Sequence, residues 1–291
     1  MTKFIPWNSQ PLDEWSQKYA SGKFVDLGGY NTHYIEMGSG EPVILIHGYF
    51  YDSLQWSKNL EALATRFKVY ALDLWGFGYS TREPMDYGYP LYASQLLKFM
   101  DALGIEKAFL TGQSMGGGTA ILFATRHPER VNRLVLVASG GLPNPQSPVM
   151  RIAGLPGIGE FLFGLKGSRR GILKANFIYD KNKLTDEYVE TVTRFQKVKG
   201  TTEVLLKVLR KRFWDTLPEE IHTLGKTGLP VLIVWGRQDK SIPIKLAQDM
   251  RRILKGSRLE IIDQAGHCPN DEQPEVFNRL AMEFLLSKSE G

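Results

Sequence analysis

The stretch that decides the fold is Ala108-Phe-Leu-Thr-Gly-Gln-Ser-Met-Gly-Gly-Gly118, which contains the pattern Gly112-x-Ser114-x-Gly116. A predicted strand precedes the serine, and a run of helix-forming residues, Thr119–Arg126, follows it. This strand–turn–helix frame forces the serine into a strained backbone conformation with its hydroxyl exposed. Side chains at the two glycines would collide across so tight a turn. The pattern therefore predicts that Ser114 is a nucleophile rather than a serine that caps a helix.

The chain around this stretch alternates between short apolar runs and amphipathic stretches. The apolar runs are predicted strands: Pro42–His47, Lys68–Leu72, Ala108–Gly112, Arg133–Ala138, Pro230–Trp235 and Leu259–Asp263. Their composition is typical of strands buried on both faces of a parallel sheet. Leu54–Phe67 and Leu91–Leu103 have the spacing of helices that pack on a sheet, which indicates βαβ units. Ahead of them, Gly28-Gly29-Tyr30-Asn31 separates Lys23–Leu27 from Thr32–Met37, a predicted antiparallel hairpin.

The alternation stops after Arg133–Ala138, which is the sixth predicted strand when the two strands of the hairpin are counted. A proline-rich stretch, Gly141–Pro148, comes next, and the strand rhythm resumes only at Pro230. Helical periodicity is predicted in between: Ile152–Leu165, Gly171–Tyr179, Thr185–Lys197 and Thr202–Leu209. We therefore predict an α/β core with a mostly parallel central sheet flanked by helices, formed by residues 1–140 and 226–291. An α-helical cap, residues 141–225, is inserted after the sixth strand.

Composition limits the class of protein. The chain has 291 residues, of which 43% are hydrophobic and 23% charged, and this excludes disordered, collagen-like and coiled-coil chains. No apolar run approaches the roughly 18–20 residues that a membrane span needs, and the first residues do not resemble a secretory signal. The single cysteine, Cys268, excludes an intrachain disulfide and a multi-cysteine metal site. We therefore expect a cytoplasmic protein without an integral membrane segment.

The formal net charge of +5 raises the question of a nucleic-acid partner. We expect none, because no basic stripe interleaved with aromatic residues is present. The charge is concentrated between residues 150 and 212, which hold 14 Lys and Arg against 6 Asp and Glu. Such a basic cap is either a solvated outer face or a surface that attracts anionic substrates. The apolar residues of the cap are predicted to line an acyl pocket: Phe161, Leu162, Leu165, Phe177, Val189, Phe195 and Leu206.

A serine hydroxyl is a poor nucleophile until a base removes its proton, so a histidine is required. His267 follows the last predicted strand on a loop from which its side chain can reach back over the sheet. The histidines at positions 33, 127 and 222 are interpreted as surface or packing residues. His47 ends the third strand and is interpreted as a structural hydrogen-bonding residue. Cys268, which follows His267, is interpreted as a small packing residue.

The imidazole in turn needs a carboxylate that fixes its tautomer. Asp239 lies just past the C-terminal end of a predicted strand, and the order Ser114, Asp239, His267 is one that triad enzymes use. Asp73 also follows a strand, and we assign it a turn-stabilising role.

Two backbone N–H groups are expected to hold the tetrahedral oxyanion of such a reaction. Met115 follows the nucleophile at a helix N-terminus, where the partial charge is positive. The loop after the third strand is expected to supply the second donor, through the N–H of Tyr49.

In their order, five motifs resemble those of the α/β-hydrolase fold family: His47-Gly-Tyr, Asp73-Leu-Trp-Gly-Phe-Gly, Gly112-Gln-Ser-Met-Gly-Gly, Trp235-Gly-Arg-Gln-Asp and Gly266-His267. The resemblance extends from about Lys23 to the C-terminus. It is to the cap-bearing branch, which includes carboxylesterases, epoxide hydrolases, haloalkane dehalogenases and the meta-cleavage-product C–C hydrolases. It implies an α/β-hydrolase fold, a triad of Ser114, Asp239 and His267, and no metal or organic cofactor.

Two departures from the family patterns narrow the choice of reaction. Epoxide hydrolases and haloalkane dehalogenases carry an aspartate at the position of Ser114. The C–C hydrolases usually carry a glycine-rich oxyanion loop and a tryptophan after the histidine, where this chain has Tyr49-Phe50 and Cys268. We therefore interpret the chain as a serine carboxylesterase that hydrolyses small to medium carboxylic esters through an acyl-enzyme. The alternatives are a C–C bond hydrolase of the meta-cleavage-product type and, from another class, a small-molecule receptor on the same fold.

Overall fold

The computed structural model describes residues 4–144, 148–212 and 216–287. Its strands are β1 (Lys23–Asp26), β2 (Asn31–Met37), β3 (Pro42–Ile46), β4 (Lys68–Leu72), β5 (Ala108–Gln113), β6 (Val131–Val137), β7 (Val231–Gly236) and β8 (Arg258–Ile262). Its α-helices are α1 (Leu12–Tyr19), α2 (Ser57–Ala64), α3 (Tyr89–Ala102), α4 (Met115–Arg126), α5 (Pro148–Ala153), α6 (Ile158–Gly164), α7 (Ser168–Ile172), α8 (Asp186–Thr193), α9 (Thr201–Arg212), α10 (Pro218–Leu224), α11 (Ile244–Ile253), α12 (Pro269–Glu272) and α13 (Pro274–Leu286).

The eight strands form one sheet in the order β1-β2-β4-β3-β5-β6-β7-β8. β2 pairs antiparallel with both β1 and β4, and the strands from β4 to β8 are all parallel. The predicted hairpin is confirmed, with Lys23 opposite Tyr34 and Asp26 opposite Asn31. The mostly parallel sheet predicted from the apolar runs is also confirmed, and so is the α/β-hydrolase fold class.

Both faces of the sheet are buried, which explains why the strand sequences are apolar without alternation. Along β3, Val43 and Leu45 belong to one hydrophobic cluster, whereas Ile44 and Ile46 belong to the cluster on the opposite face. Helices α2 and α13 cover the first face, and α3, α4 and α11 cover the second. The parallel strands therefore end together at one buried edge, which is where a site in this class of sheet lies.

The described residues between β6 and β7 fold into helices α5 to α10 without a strand, so the predicted insertion after the sixth strand is confirmed. The long helix predicted over residues 152–165 is wrong in one respect, because it is two helices joined at a tight turn. Gly157 has a φ of +78° at that turn, a conformation that a helix interior does not allow. Part of the proline-rich stretch 141–148 lies outside the described residues. The domain boundaries at residues 140 and 225 stay a prediction.

The predicted lining of an acyl pocket is wrong for two cap residues. Phe161 and Leu165 lie on the outer side of α6, with 68% and 45% of their surface exposed. Phe177, Phe195 and Leu206 are buried. The amphipathic pattern predicts that a helix has an apolar side, but it does not determine which side faces the protein.

The segment before β1 packs against the cap, a contact that the sequence did not predict. Asn8 donates its N–H to the carbonyl of Gln196 at 3.1 Å, and the indole N–H of Trp15, in α1, donates to the carbonyl of Arg194 at 3.2 Å.

Among the described residues, no helix combines the length and the apolar character that a membrane crossing requires.

Candidate active site

Ser114 lies at the turn between β5 and α4, with a φ of +52° and a ψ of −114°, which few residues other than glycine adopt. The glycines of the turn permit this conformation. A Cβ at Gly112 would lie 2.3 Å from the carbonyl oxygen of Gly116, and one at Gly116 would lie 2.2 Å from that of Ile46. The N–H of Ser114 donates to the carbonyl of Val137 at 2.9 Å. The predicted strained turn is therefore present, and Ser114 is partly exposed.

His267 and Asp239 lie next to this serine. The Nε2 atom of His267 is 2.9 Å from Ser114 Oγ, and its Nδ1 atom is 2.9 Å from Asp239 Oδ2. The other carboxylate oxygen of Asp239 accepts the N–H groups of Ser241 and Ile242, at 2.8 and 2.9 Å. Because Asp239 accepts at Nδ1, the proton of a neutral imidazole lies there, and Nε2 can accept from the serine hydroxyl. The structure thus brings together the three side chains that were predicted to act as a triad.

The backbone of His267 is fixed on both sides. Its N–H donates to the carbonyl of Phe177 at 2.8 Å, and its carbonyl accepts from Gln113 Nε2 at 2.8 Å. Gln113 also packs against Gly48, where a Cβ would lie 1.9 Å from its Oε1. Gln113 was not among the site residues predicted from the sequence. Its position directly before the serine was the only signal for this role.

Glu272 joins the cap to the loop that carries His267. Its carboxylate is fully buried and accepts the N–H groups of Gly266, Tyr179 and Asp180 at 2.6, 2.8 and 3.0 Å. Burial raises the pKa of Glu272, while these hydrogen bonds oppose the shift. This role of Glu272 was not predicted from the sequence.

Tyr49 and Met115, the predicted oxyanion donors, lie on neighbouring segments at the carboxyl edge of the sheet. β3 pairs with β5 so that Ile46 is opposite Gly112, and the loop after β3 therefore begins beside the turn that carries the serine. Met115 is the first residue of α4. The hydroxyl of Tyr49 donates to the carbonyl of Leu205, in the cap helix α9, at 3.0 Å. This placement is compatible with the predicted role, which stays a prediction.

Phe50 has a φ of +80° and is fully buried. A residue with a side chain costs about 1–2 kcal/mol in the left-handed region, so the surrounding contacts must hold it there. The carbonyl of Phe50 accepts from Gln196 Nε2 at 2.7 Å, and its ring stacks on that of Phe177 at 5.8 Å between centroids. Both partners belong to the cap. The cap therefore holds the loop that contains Tyr49 and Phe50.

Arg169, in α7, is a fully buried cation. Its Nη1 atom donates to the carbonyl of Phe163 at 3.0 Å, but Nε and Nη2 have no hydrogen-bond partner in the described part of the chain. Its guanidinium carbon lies 4.8 to 5.7 Å from the ring centroids of Trp7, Phe163 and Phe50. Burial lowers the pKa of Arg169 to about 10, so it remains charged at neutral pH. A buried charge with unsatisfied donors is costly, which makes Arg169 a candidate binding group for an anion.

His47 has the structural role that was predicted. Its Nδ1 atom donates to the carbonyl of Gly48 at 2.8 Å, and its Nε2 atom accepts the N–H of Leu74 at 3.0 Å. Burial lowers the pKa of His47, which keeps the ring neutral.

The turn-stabilising role of Asp73 is also confirmed. Its carboxylate accepts the N–H groups of Ser53 and Tyr79 at 2.7 and 2.8 Å. It also lies 2.7 Å from Nδ1 of His33, which is buried, and this ion pair was not predicted. Burial opposes protonation of His33, but the Asp73 carboxylate outweighs it and raises the pKa of His33.

Cys268 is fully buried, and burial raises the pKa of its thiol well above the ordinary value. Its position fits the predicted packing role. Within residues 4–144, 148–212 and 216–287, no three His, Cys, Asp or Glu side chains are grouped so that they could hold a metal ion.

The chain is similar to known proteins over most of its length. A family model described as the alpha/beta hydrolase fold matches residues 41–274. A 2-hydroxy-6-oxo-6-phenylhexa-2,4-dienoate hydrolase of Comamonas testosteroni is 31% identical over 289 residues, which is 94% of this chain and 97% of the relative.

Two solved structures have the same architecture. A meta-cleavage product hydrolase from Pseudomonas fluorescens IP01 has a TM-score of 0.80 and 30% identity, with 91% of this chain and 97% of that one covered. A bacterial membrane phospholipase A has a TM-score of 0.78 and 28% identity, with 91% and 85% covered. The sheet, the strained serine turn and these matches agree, and the chain belongs to the α/β-hydrolase fold family, in its serine hydrolase branch.

Proposed function

We propose that this protein hydrolyses the C–C bond next to the ketone of a 2-hydroxy-6-oxo-2,4-dienoate. The observation that carries the proposal is the match over 94% of the chain to a relative named for this reaction. Ser114 is the nucleophile, His267 the base, and Asp239 the acid that orients the imidazole. This replaces the carboxylesterase that the sequence alone favoured, because the full-length similarity outweighs two local departures from the family pattern.

The reaction follows from the geometry of the three side chains. The substrate first takes its keto form, in which a proton has moved from the hydroxyl on carbon 2 to carbon 5. His267 takes the proton of Ser114, whose Oγ attacks the ketone at carbon 6. The N–H groups of Tyr49 and Met115 stabilise the oxyanion.

Collapse of this intermediate breaks the bond between carbons 5 and 6. The electron pair delocalises to the oxygen on carbon 2, and the imidazolium returns its proton to the departing fragment. A water molecule, deprotonated by His267, then attacks the acyl-enzyme, and Ser114 regains its proton as the carboxylic acid leaves. One water is consumed, and the products are an acid and a 2-hydroxydienoate.

Arg169 supports a substrate of this class. The dienoate carries a carboxylate, and the guanidinium of Arg169 has two nitrogen atoms without a partner among the described residues. Its guanidinium lies over Phe50, the residue after Tyr49, and the ring of Phe50 stacks on that of Phe177, which lies 5.4 Å from the His267 ring. A carboxylate bound at Arg169 would make charge-assisted hydrogen bonds in a site with little water.

Carboxylic ester hydrolysis is the second candidate, with the same residues and an alkoxide as the leaving group. Two observations favour it. The loop after β3 presents Tyr49 and Phe50 instead of a glycine run, and one similar solved structure is a phospholipase A. An ester has an alkoxide leaving group and needs no prior conversion to a keto tautomer, so the site would not have to catalyse that step.

The two reactions are separated by measuring kcat/KM for 2-hydroxy-6-oxo-6-phenylhexa-2,4-dienoate and for p-nitrophenyl esters of increasing chain length. We expect the dienoate to be cleaved faster than any ester, with loss of both activities in Ser114→Ala. Fast ester turnover without dienoate cleavage would instead establish the esterase. Binding of either compound without turnover would indicate a receptor.

The variant Arg169→Met tests whether Arg169 binds the carboxylate of the dienoate substrate. It should raise KM for the dienoate about tenfold or more and leave a neutral ester unaffected, because only the dienoate carries a charge at that position. The neighbouring Arg170→Met is the matched control, because Arg170 is only partly buried and pairs with Asp186. An equal effect of both variants on both substrates would assign Arg169 a purely structural role.

A further inference from the structure

The outer face of the cap carries a concentration of exposed apolar side chains. They lie in α5, in α6 and beside them, with 42% to 68% of their surface exposed: Ile152, Leu155, Ile158, Phe161 and Leu165. Seven large hydrophobic residues are at least 42% exposed in the described part of the chain, and five of them belong to this short segment. We call these five residues the cap patch. Single exposed apolar residues are ordinary, but a cluster of this kind marks an interaction surface.

The inner sides of the two helices are used in packing, so the patch is a separate face. Ile158, Phe161 and Leu165 follow the spacing of one helix face, while Gly159 and Phe163 are buried on the other. A Cβ at Gly159 would lie 2.4 Å from the carbonyl of Ala153, which shows how closely α6 approaches α5. The helix pair is thus packed through its inner sides, while the patch residues keep 42% to 68% of their surface exposed.

The charges around the patch are positive. Arg151 and Lys166 adjoin Ile152 and Leu165 in the sequence, and both are exposed. The one acidic residue between positions 148 and 175, Glu160, accepts a hydrogen bond from Arg210 at 2.9 Å. The surface is therefore apolar at its centre and cationic at its rim.

Aromatic residues of the N-terminal segment border the patch. The indole N–H of Trp7 donates to the carbonyl of Leu165 at 3.1 Å, and Lys166 Nζ lies 5.7 Å from the centre of the Phe4 ring. Tryptophan is enriched where proteins meet the headgroup region of a bilayer.

We propose that the cap patch docks on the surface of an anionic lipid bilayer. The apolar side chains would enter the boundary between headgroups and acyl chains, and the basic rim would contact the lipid phosphates. Charge complementarity favours this occupant over a second copy of the chain. A two-fold contact through the patch would bring the basic rims of both copies together.

The docking surface is independent of the bond that the active site cleaves. The patch contains none of the residues to which we assign a catalytic or substrate-binding role. Docking would instead determine where the protein acts, because a docked cap would hold the active site next to a lipid phase.

Vesicle flotation of the full chain tests the proposal directly. We expect it to float with vesicles of equal parts phosphatidylcholine and phosphatidylglycerol and much less with phosphatidylcholine alone. Each basic residue near an anionic surface strengthens binding about fivefold, so Lys166→Glu should weaken flotation at least by that factor, and added salt should weaken it too.

The apolar centre is tested by Phe161→Ser combined with Leu165→Ser, which we expect to reduce binding at least tenfold. Phe24→Ser is the matched control, because Phe24 is 50% exposed but lies in β1. Hydrolysis of a water-soluble substrate reports whether the variants are folded, and we expect it to be unchanged in all of them.

Three results would overturn the proposal. The first is no flotation with anionic vesicles at low salt, and the second is equal flotation of the double variant and the wild type. The third is a dimer in light scattering that becomes a monomer in the double variant, because the patch would then be a contact between two copies of the chain.

Discussion

Gln196 of the cap donates its side-chain amide to the carbonyl oxygen of Phe50 at 2.7 Å, and both residues are fully buried. Phe50 follows Tyr49, the predicted second oxyanion donor, and has a left-handed backbone. A residue of the cap thus holds the peptide group between Phe50 and Tyr51, one residue beyond Tyr49, which links the position of the cap to the shape of the oxyanion loop.

Gln196→Met tests this link, because methionine keeps the volume and removes the donor. We expect kcat to fall roughly ten- to a hundredfold, less than the loss of an oxyanion donor itself, with a smaller change in KM. Steady-state kinetics with thermal unfolding measures both quantities. The exposed Gln248 provides the control variant, Gln248→Met. An unchanged kcat in a folded Gln196→Met protein would show that this cap contact does not affect the oxyanion loop.

The triad is tested by Ser114→Ala and His267→Ala, which should each lower kcat by roughly 10³ to 10⁶, since triad residues act as a unit. Asp239→Asn should fall in a similar range or be milder, because asparagine favours the wrong tautomer of the imidazole. Circular dichroism reports the fold. A near-normal rate in either of the first two variants would refute the mechanism, and a normal rate in Asp239→Asn alone would mean that another acid orients the histidine.

The nucleophile is distinguished from the neighbouring thiol by covalent labelling. A sulfonyl fluoride should inactivate the protein and modify Ser114, as read by mass spectrometry of the peptides. Cys268→Ala should keep most of the activity, because burial keeps the thiol protonated. A maleimide should react with Cys268 only after denaturation. A label on Cys268 in the native protein, with loss of activity, would reverse the assignment.

The ion pair between His33 and Asp73 predicts a pH dependence of stability. The pKa of His33 is raised above its ordinary value of about 6.5, so the native state holds more protons than the unfolded chain above that pH. The contribution of the pair is therefore complete below about pH 6.5 and is lost as the pH rises through the raised pKa. The Asp73 carboxylate has the opposite pH dependence. Because its pKa is lowered, its contribution to stability is present at neutral pH and is lost only as the pH falls into the acid range.

Urea denaturation of the wild type and His33→Gln between pH 5.5 and 8.5 checks this. The difference between their free energies of unfolding should shrink with rising pH. A constant or growing difference would contradict the raised pKa of His33.

The sequence predicted those parts of the fold and site that depend on local patterns. The turn at Ser114 needs glycines within two residues of it, and the strands need short apolar runs, so both were visible. Asp239 and His267 were found because each lies in the loop that follows a strand of the sheet. These positions are set by chain topology, which the alternation of strands and helices already indicates.

The rest depends on contacts between distant segments. Gln196 reaches Phe50 across 146 positions of the chain, and Glu272 reaches Tyr179 across 93. Nothing in the local sequence of either residue indicates its partner. Arg169 was counted as part of a basic surface, because burial by Trp7 and Phe163 results from how the cap and the N-terminal segment pack.

The N-terminal segment has a consequence for how molecules enter and leave. Gln10 exchanges backbone hydrogen bonds with Lys197 and Lys199, both at 2.8 Å, so the N-terminal segment also holds the cap. Lifting the cap as one body would break these bonds together with those of Phe50 and Glu272. Entry and exit through local movements of side chains and short loops would break fewer of these bonds than a movement of the whole cap.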